Sequence, residues 1–218
     1  MNMFTKCAAV AFVAIAAFAG SANAGVVFSF TETAKGVEMN ASGSIDVAGL
    51  SAMKKVGWGG TGIESNSEVD ILGSNMGGLD SAFAFNLGTD LSAWDTATGP
   101  FGRSYFKWTK SGTTSFATYI RVKSARLPGL TIDASDLAGT IWSPDNVWVA
   151  SGKTFASLGL NQGVYTVTDA VSAESLTIDV GGTSQTDPSA AVPVPAAFPL
   201  MAAGIGGLCL IARKRNSA

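Results

Sequence analysis

The residues of this chain that could do chemistry are almost all carboxylates. Its 218 residues include no histidine, and the only two cysteines, Cys7 and Cys209, lie close to the two ends. Without histidine there is no imidazole to act as a general base beside serine or cysteine, or to ligate a metal. Catalysis would therefore depend on paired acids, as in glycosidases, whose two carboxyl groups stand about 5 to 9 Å apart.

Sixteen acidic residues make such a pair easy to imagine, but the sequence does not rank them. Scattered carboxylates are usually solvated surface groups, so we assign no catalytic residue and no cofactor and expect a protein that is not an enzyme. By position, the candidates for a carboxylate pair are Glu64, Glu68, Asp70, Asp133 and Asp136.

Two acidic segments could offer oxygen ligands to Ca²⁺, namely Asp133-x-x-Asp136 and Asp145-Asn146. Neither has the spacing of an EF-hand or of a glycine-rich nonapeptide repeat. Asp before a Ser/Thr-rich turn more often caps or closes that turn, so we predict no metal site. The glycine-rich segment 57–62 lacks the spacing of a dinucleotide-binding fingerprint and is predicted to be a loop.

Four tryptophans, Trp58, Trp94, Trp142 and Trp148, could form an aromatic platform for sugar rings if they were exposed. The alternative is that most of them belong to the core. A polysaccharide-binding module is therefore an alternative function, and a carboxylate-dependent glycan hydrolase is a less favoured one. Nucleic acid is not an expected partner, because 14 cations against 16 acids give a net charge of -2.

The elements that must position these residues are predicted to be β-strands. Apolar residues alternate with polar ones at period two, and turn signals rich in glycine, proline and asparagine separate the runs. We predict an all-β domain, a single antiparallel β-sandwich or jelly-roll-like fold. Only residues 154–160 are predicted to form a short helix. The alternating pairs and triplets are Val26/Phe28/Phe30, Val37/Met39/Ala41, Phe83/Phe85, Phe106/Trp108, Ile120/Val122, Val147/Val149 and Leu176/Ile178/Val180.

The N-terminal residues predict a secretory signal peptide over residues 1–24. One cation, Lys6, precedes an uncharged apolar run that is too short to span about 30 Å of hydrocarbon. Small residues follow at the two positions that signal peptidase reads, Ala22 and Ala24. Cleavage after Ala24 would leave Gly25 as the first residue.

The C-terminal residues predict a short membrane helix between an extended proline-rich segment and a basic end. Because Pro193, Pro195 and Pro199 lack amide donors, helix is expected only over about 199–212. Fourteen helical residues reach about 21 Å, less than a full bilayer core. The three cations that follow, Arg213, Lys214 and Arg215, would hold that end on the cytoplasmic side.

These C-terminal features resemble the VPLPA-CTERM variant of the PEP-CTERM sorting domain. The resemblance covers residues 192–218, with Val194 where the variant usually has leucine. It implies export by the general secretion machinery, recognition and cleavage by an exosortase, and delivery from an inner-membrane intermediate to the cell surface or the extracellular matrix. It also implies association with exopolysaccharide and biofilm. The motif residues are Val192, Pro193, Val194, Pro195 and Ala196.

A weaker resemblance lies within the domain. Residues 158–165 read Leu-Gly-Leu-Asn-Gln-Gly-Val-Tyr, similar to the Leu-Gly-x-x-x-Gly-x-Tyr sequence before the last strand of many PEP-CTERM ectodomains. This resemblance implies the same fold and the same cellular role, and it transfers no active site.

Removing the two ends changes the charge of what remains. Residues 25–191 hold ten cations and all 16 acids, a net charge of -6, and no cysteine. We therefore expect an acidic β-rich extracellular domain at 25–180 that is stabilised by packing alone, and a flexible linker at 181–191 rich in Gly, Ser, Thr and Pro. The leading functional hypothesis is an exported surface or matrix protein with a structural or adhesive domain.

Overall fold

The computed structural model describes residues 25–53, 60–65, 70–74, 79–95, 99–119 and 128–182. The predicted signal peptide, most of the predicted linker and the whole sorting segment lie outside these residues, and so does the strand predicted at Ile120 and Val122. Contacts between Cα atoms group Asn23–Ala190 as one compact unit. No helix of the described ranges is long and apolar enough to cross a membrane.

The described residues are mostly β-strands, with few and short helices. The helices are α1 (Ser92–Asp95), α2 (Phe155–Leu158) and the 3-10 turns η1 (Val47–Gly49) and η2 (Ala134–Asp136). The strands are β1 (Gly25–Thr33), β2 (Gly36–Gly43), β3 (Ile45–Asp46), β4 (Ser51–Met53), β5 (Gly60–Ile63), β6 (Ile71–Ser74), β7 (Ser81–Ala84), β8 (Thr109–Ser111), β9 (Phe116–Tyr119), β10 (Gly129–Ile132), β11 (Leu137–Ala138), β12 (Ile141–Trp142), β13 (Val147–Ser151), β14 (Gly163–Thr168) and β15 (Ser175–Val180).

These strands form two six-stranded sheets and one small three-stranded sheet. The first sheet has the order β14-β15-β1-β2-β13-β8. The second has the order β4-β7-β10-β9-β6-β5, and the small sheet has the order β11-β12-β3. The prediction of a β-rich fold is confirmed, and two sheets of this kind are consistent with a β-sandwich.

One pairing of the first sheet departs from the predicted antiparallel arrangement. Strand β1 pairs with β15 in parallel, with Gly25 opposite Ser175 and Phe30 opposite Val180. The first and last described strands therefore lie side by side and run in the same direction. As a result, the first residue of β1 and the last residue of β15 lie at opposite ends of the sheet. We call the end at which β1 and β15 finish the α2 end, since α2 follows β13 there.

Alternation along the strands gives the first sheet its buried face. Val26, Phe28 and Phe30 of β1 are buried, as are the predicted residues of β2 and β15. In β13 the phase is the reverse of the prediction, because Trp148 and Ala150 are buried while Val147 and Val149 are partly exposed. All four residues are apolar, so the sequence shows the period but not which face points inward.

Aromatic rings from the two large sheets meet in the core. Phe116 of β9 stacks on Phe28 of β1 at 5.2 Å between ring centroids, and on Trp148 of β13 at 5.8 Å. A side chain at Gly73 of β6 would collide with the Trp148 ring, so the two sheets approach closely at that point. Such offset ring pairs add packing energy beyond the area that they bury.

Two local predictions have different outcomes. The short helix predicted at 154–160 is present as α2, which Thr154 caps at its N-terminus and Gly159 ends in a left-handed conformation with a φ of 66°. The strand predicted around Phe106 and Trp108 instead begins at Thr109, and within the described part of segment 99–108 only isolated bridges form. Of the loop predicted at 57–62, residues 60–62 belong to β5 instead, and residues 57–59 lie outside the described residues.

Candidate functional site

The tryptophans expected as a possible sugar platform are core residues. Trp94, Trp142 and Trp148 have no exposed surface, and Trp58 lies outside the described residues. Trp148 packs against the rings of Phe116 and Trp108, and the Trp94 indole N–H donates to the carbonyl of Tyr165 at 2.8 Å. Tryptophan buries a large apolar area, and the free energy gained by this burial places all three side chains in the core. Sugar stacking on these three rings is therefore excluded.

Four of the five candidate acids are described, as two pairs that are each joined by a backbone hydrogen bond, Glu64 with Asp70 and Asp133 with Asp136. Asp70 is buried on the second sheet, where its backbone bonds Glu64 and Thr118. Asp133 caps η2 through Ser135, and this hydrogen bond lowers the pKa of the carboxyl. Burial raises the pKa of Asp136. The hydrogen bond that the Ser115 N–H donates to its carboxylate acts in the opposite direction but is the weaker effect. Glu68 lies outside the described residues.

Asp145, which the sequence offers as a possible calcium ligand, instead stabilises the turn after β8. Its carboxylate accepts hydrogen bonds from the backbone N–H and the hydroxyl of both Thr113 and Thr114, at 2.7 to 2.9 Å. Partial burial disfavours the charged form, but these bonds outweigh burial and hold the pKa of Asp145 well below its usual range. Among the described residues, no group of three acids or cysteines could hold a metal ion.

A second carboxylate joins two loops at the end of the first sheet opposite α2. Asp169 is 2% exposed and accepts hydrogen bonds from the backbone and side chain of both Asn86 and Ser172, and from the Thr89 hydroxyl. Burial alone would raise the pKa of Asp169, yet these donors hold it well below its usual range. Both carboxylates, the exposed Asp145 and the buried Asp169, thus hold loops in place, and sequence reasoning had singled out only Asp145.

Lys110 is the one described cation that is sequestered. Its ammonium donates to the carbonyl oxygens of Gly73 at 3.1 Å and Thr114 at 2.6 Å, and so links β8 of the first sheet to β6 of the second. Burial lowers the pKa of Lys110, and the carboxylates of Asp145 and Asp136 oppose that shift. A lysine used in this way holds loops together and is not free to meet a ligand.

A polar cavity of about 340 Å³ lies at the α2 end of the first sheet. Glu32 supplies its carboxylate, whose Oε2 accepts the backbone N–H of Phe155 at 2.5 Å. Because Glu32 is the single carboxylate in the lining, the cavity does not offer an acid-base pair. The lining residues are Thr31, Glu32, Phe155, Gln162, Gly181 and Gly182.

Next to α2 lies a group of cations and aromatic rings that we call the basic–aromatic surface. It consists of Lys153, before α2, and of the segment that carries Arg103, Tyr105, Phe106 and Lys107 and that contacts α2 at Gly159. The Lys153 ammonium stands 5.7 Å from the centroid of the Tyr105 ring, and Phe106 is 47% exposed. Sequence reasoning missed this group because it considered only tryptophans, and because Lys153 and Tyr105 are far apart along the chain.

Comparison of the chain with protein-family models, curated proteins and solved structures finds no match. The resemblance of residues 192–218 to a sorting domain therefore stays an expectation from the sequence. Two kinds of feature bear on function: the signals expected from the sequence at the ends of the chain, and the charges and rings at the surface of the described domain.

Proposed function

We propose that the chain is an exported cell-surface or extracellular-matrix protein whose β-sandwich domain has a structural or adhesive role and no enzymatic activity. The N-terminal leader directs it to the general secretion machinery. The C-terminal segment holds it in the membrane until an exosortase acts on the motif around Pro193 and Pro195. Exopolysaccharide is its expected partner outside the cell.

The observation that carries this proposal is the position of Gly25 in the fold. Gly25 would be the first residue after leader cleavage, and β1 begins at this residue, between β15 and β2. A Cβ at Gly25 would lie 2.3 Å from the Ser175 hydroxyl oxygen, so the strand starts in close contact with its neighbour. Cleavage after Ala24 would thus leave every described strand of the sheet intact.

A structural or adhesive role is also favoured by how the described polar groups are used. The carboxylates of Asp145 and Asp169 bind loops, and Lys110 links β8 of the first sheet to β6 of the second. The polar cavity does not favour the hydrolase alternative, because Glu32 is the single carboxylate in its lining. What the domain presents to solvent near α2 is instead a set of charges and rings suited to adhesion.

Cell fractionation tests the export part of the proposal. The full chain is expected at the cell surface, accessible to added protease, whereas a chain that lacks residues 192–218 should be exported but not retained in the membrane fraction. Recovery of the full chain from the cytoplasm, with its first 24 residues intact, would contradict the proposal.

A further inference from the structure

Four of the five described cations gather on one side of an otherwise acidic domain. Arg103, Lys107 and Lys153 belong to the basic–aromatic surface, and Lys35 lies beside it in the turn between β1 and β2. The carbonyl of Lys35 accepts the N–H of Gly152 at 2.9 Å, which ties that turn to the residue before Lys153. With a net charge of -6 on residues 25–191, a local positive surface of this kind will attract anions that the rest of the domain repels.

The Lys153–Tyr105 contact holds part of this surface in place. The Tyr105 backbone exchanges hydrogen bonds with Ile63, at 2.8 and 3.0 Å, and its ring packs edge-on against buried Trp108. Lys153 immediately precedes Thr154, the residue that caps α2. Both the ring and the residue bearing the ammonium are therefore anchored, which lowers the entropy cost of binding a ligand there.

Phe106 supplies an apolar ring at the same surface. Gly62 lies so close that a side chain there would approach Phe106 Cδ1 to 2.4 Å, so the ring rests directly on the backbone of β5. Nearly half of Phe106 nevertheless stays exposed to water. An exposed ring on a fixed strand is the arrangement on which the apolar face of a sugar can stack.

The cations of this surface are available to a ligand. Within the described part of the chain, Arg103, Lys107 and Lys153 form no ion pair with a carboxylate. The Cβ and Cγ of Arg103 pack against Gly159, the residue that ends α2, and Arg103 as a whole is exposed. Glu32, whose carboxylate lies at the start of α2, and Glu64, next to Ile63, border the surface. The three cations of the surface and the neighbouring Lys35 outnumber these two carboxylates.

We propose that the basic–aromatic surface binds a linear acidic polysaccharide, with uronate carboxylates on Arg103, Lys107 and Lys153 and a sugar ring on Phe106. Arginine and lysine supply the charge-assisted hydrogen bonds that carboxylates accept, and the ring distinguishes a glycan from other polyanions. This inference rests on the proposed adhesive function and names the class of partner that it serves. It moves the sugar contact from the buried tryptophans to Phe106.

Binding of three polymers to the full chain, purified in detergent, tests the proposal. Polygalacturonate carries both charge and sugar rings, polyglutamate carries charge without rings, and dextran carries rings without charge. We expect binding to polygalacturonate that weakens as salt rises, weaker binding to polyglutamate and none to dextran. Removing two charges with Arg103→Gln and Lys153→Gln should weaken polygalacturonate binding roughly ten-fold, and Phe106→Ala roughly five-fold.

Matched variants at the opposite end of the sheet serve as controls. Leu87→Ala removes a side chain that is 91% exposed, and Ala170→Glu adds a negative charge to an exposed turn. Both should bind polygalacturonate like the wild type. Equal binding to polyglutamate and polygalacturonate, or equal losses in the surface variants and the controls, would overturn the proposal. Such a result would leave the export and processing measurements unaffected. Failure of the glycan-binding proposal can therefore be distinguished from failure of the proposed export.

Discussion

Gly25 lies opposite Ser175 in the parallel ladder that joins the first and last described strands of the domain. The sheet is therefore complete only when residues from both ends of the domain have come together. Because β1 and β15 run in parallel, Gly25, the N-terminus that leader cleavage would leave, and the exit of the chain after Val180 lie at opposite ends of the first sheet. The basic–aromatic surface lies at the exit end, close to Gly181 and Gly182.

The close approach of β1 and β2 makes Gly43 difficult to replace. Its φ is +88°, and a Cβ there would lie 2.0 Å from the carbonyl oxygen of Gly25. We expect Gly43→Ala to lower the free energy of unfolding by about 3 kcal/mol, measured by urea denaturation. Gly88 has a similar φ of +92° with open space around it, so Gly88→Ala should cost about 1 kcal/mol. Equal losses in the two variants would show that the clash with Gly25 has no effect.

The Asp169 carboxylate should contribute stability that depends on pH. Because its hydrogen bonds hold the pKa of the folded state below the ordinary value of about 3.9, the contribution is present at neutral pH and is lost as pH falls below about 4. Asp169→Asn should lower the free energy of unfolding by about 2 kcal/mol at pH 7, and by less at pH 3.

Asp90→Asn is the control for that measurement, since the exposed Asp90 carboxylate accepts a local hydrogen bond from the Ser92 N–H and belongs to the same loop. It should leave the urea midpoint close to that of the wild type. If the difference between wild type and Asp169→Asn were the same at pH 3 and pH 7, the charge of Asp169 would not be what holds the two loops.

Replacing a core aromatic residue should lower the free energy of unfolding much more than replacing a surface one. Trp148→Ala removes a ring that has no exposed surface and packs on Phe116, so we expect a loss of about 3 to 5 kcal/mol in the free energy of unfolding. Phe106→Ala should cost about 1 kcal/mol or less, because half of its surface already faces water. A large loss of stability in Phe106→Ala would show that its ring belongs to the core and is not a binding surface.

The sequence predicts those parts of the fold that follow from local alternation. Val26, Phe28 and Phe30 point into the core as expected, because one face of β1 is buried and period two then sorts apolar from polar residues. In β13 the same reasoning identifies the strand but selects the wrong face, since tryptophan and alanine alternate there with valine. The helix α2 was also predictable, because its cap and its final glycine lie next to it in the sequence.

Pairings between distant residues leave no such local pattern. Nothing near Gly25 indicates a parallel partner 150 residues away, and nothing near Asp169 indicates a hydrogen bond to Asn86. The candidate site has the same origin, since Lys153 meets Tyr105 only because α2 folds beside segment 99–105. Composition could show that the domain is acidic, but it could not show that most of its described cations share one side.

The most direct test of the central claim is the intact mass of the protein recovered from the cell surface. The proposed export and sorting predict a chain that starts at Gly25 and has lost the segment after Pro195. A variant with Pro193→Ala and Pro195→Ala should keep that segment, since the extended motif that the exosortase reads would be lost. Recovery of wild-type surface protein with Arg213–Ala218 still attached would contradict the account.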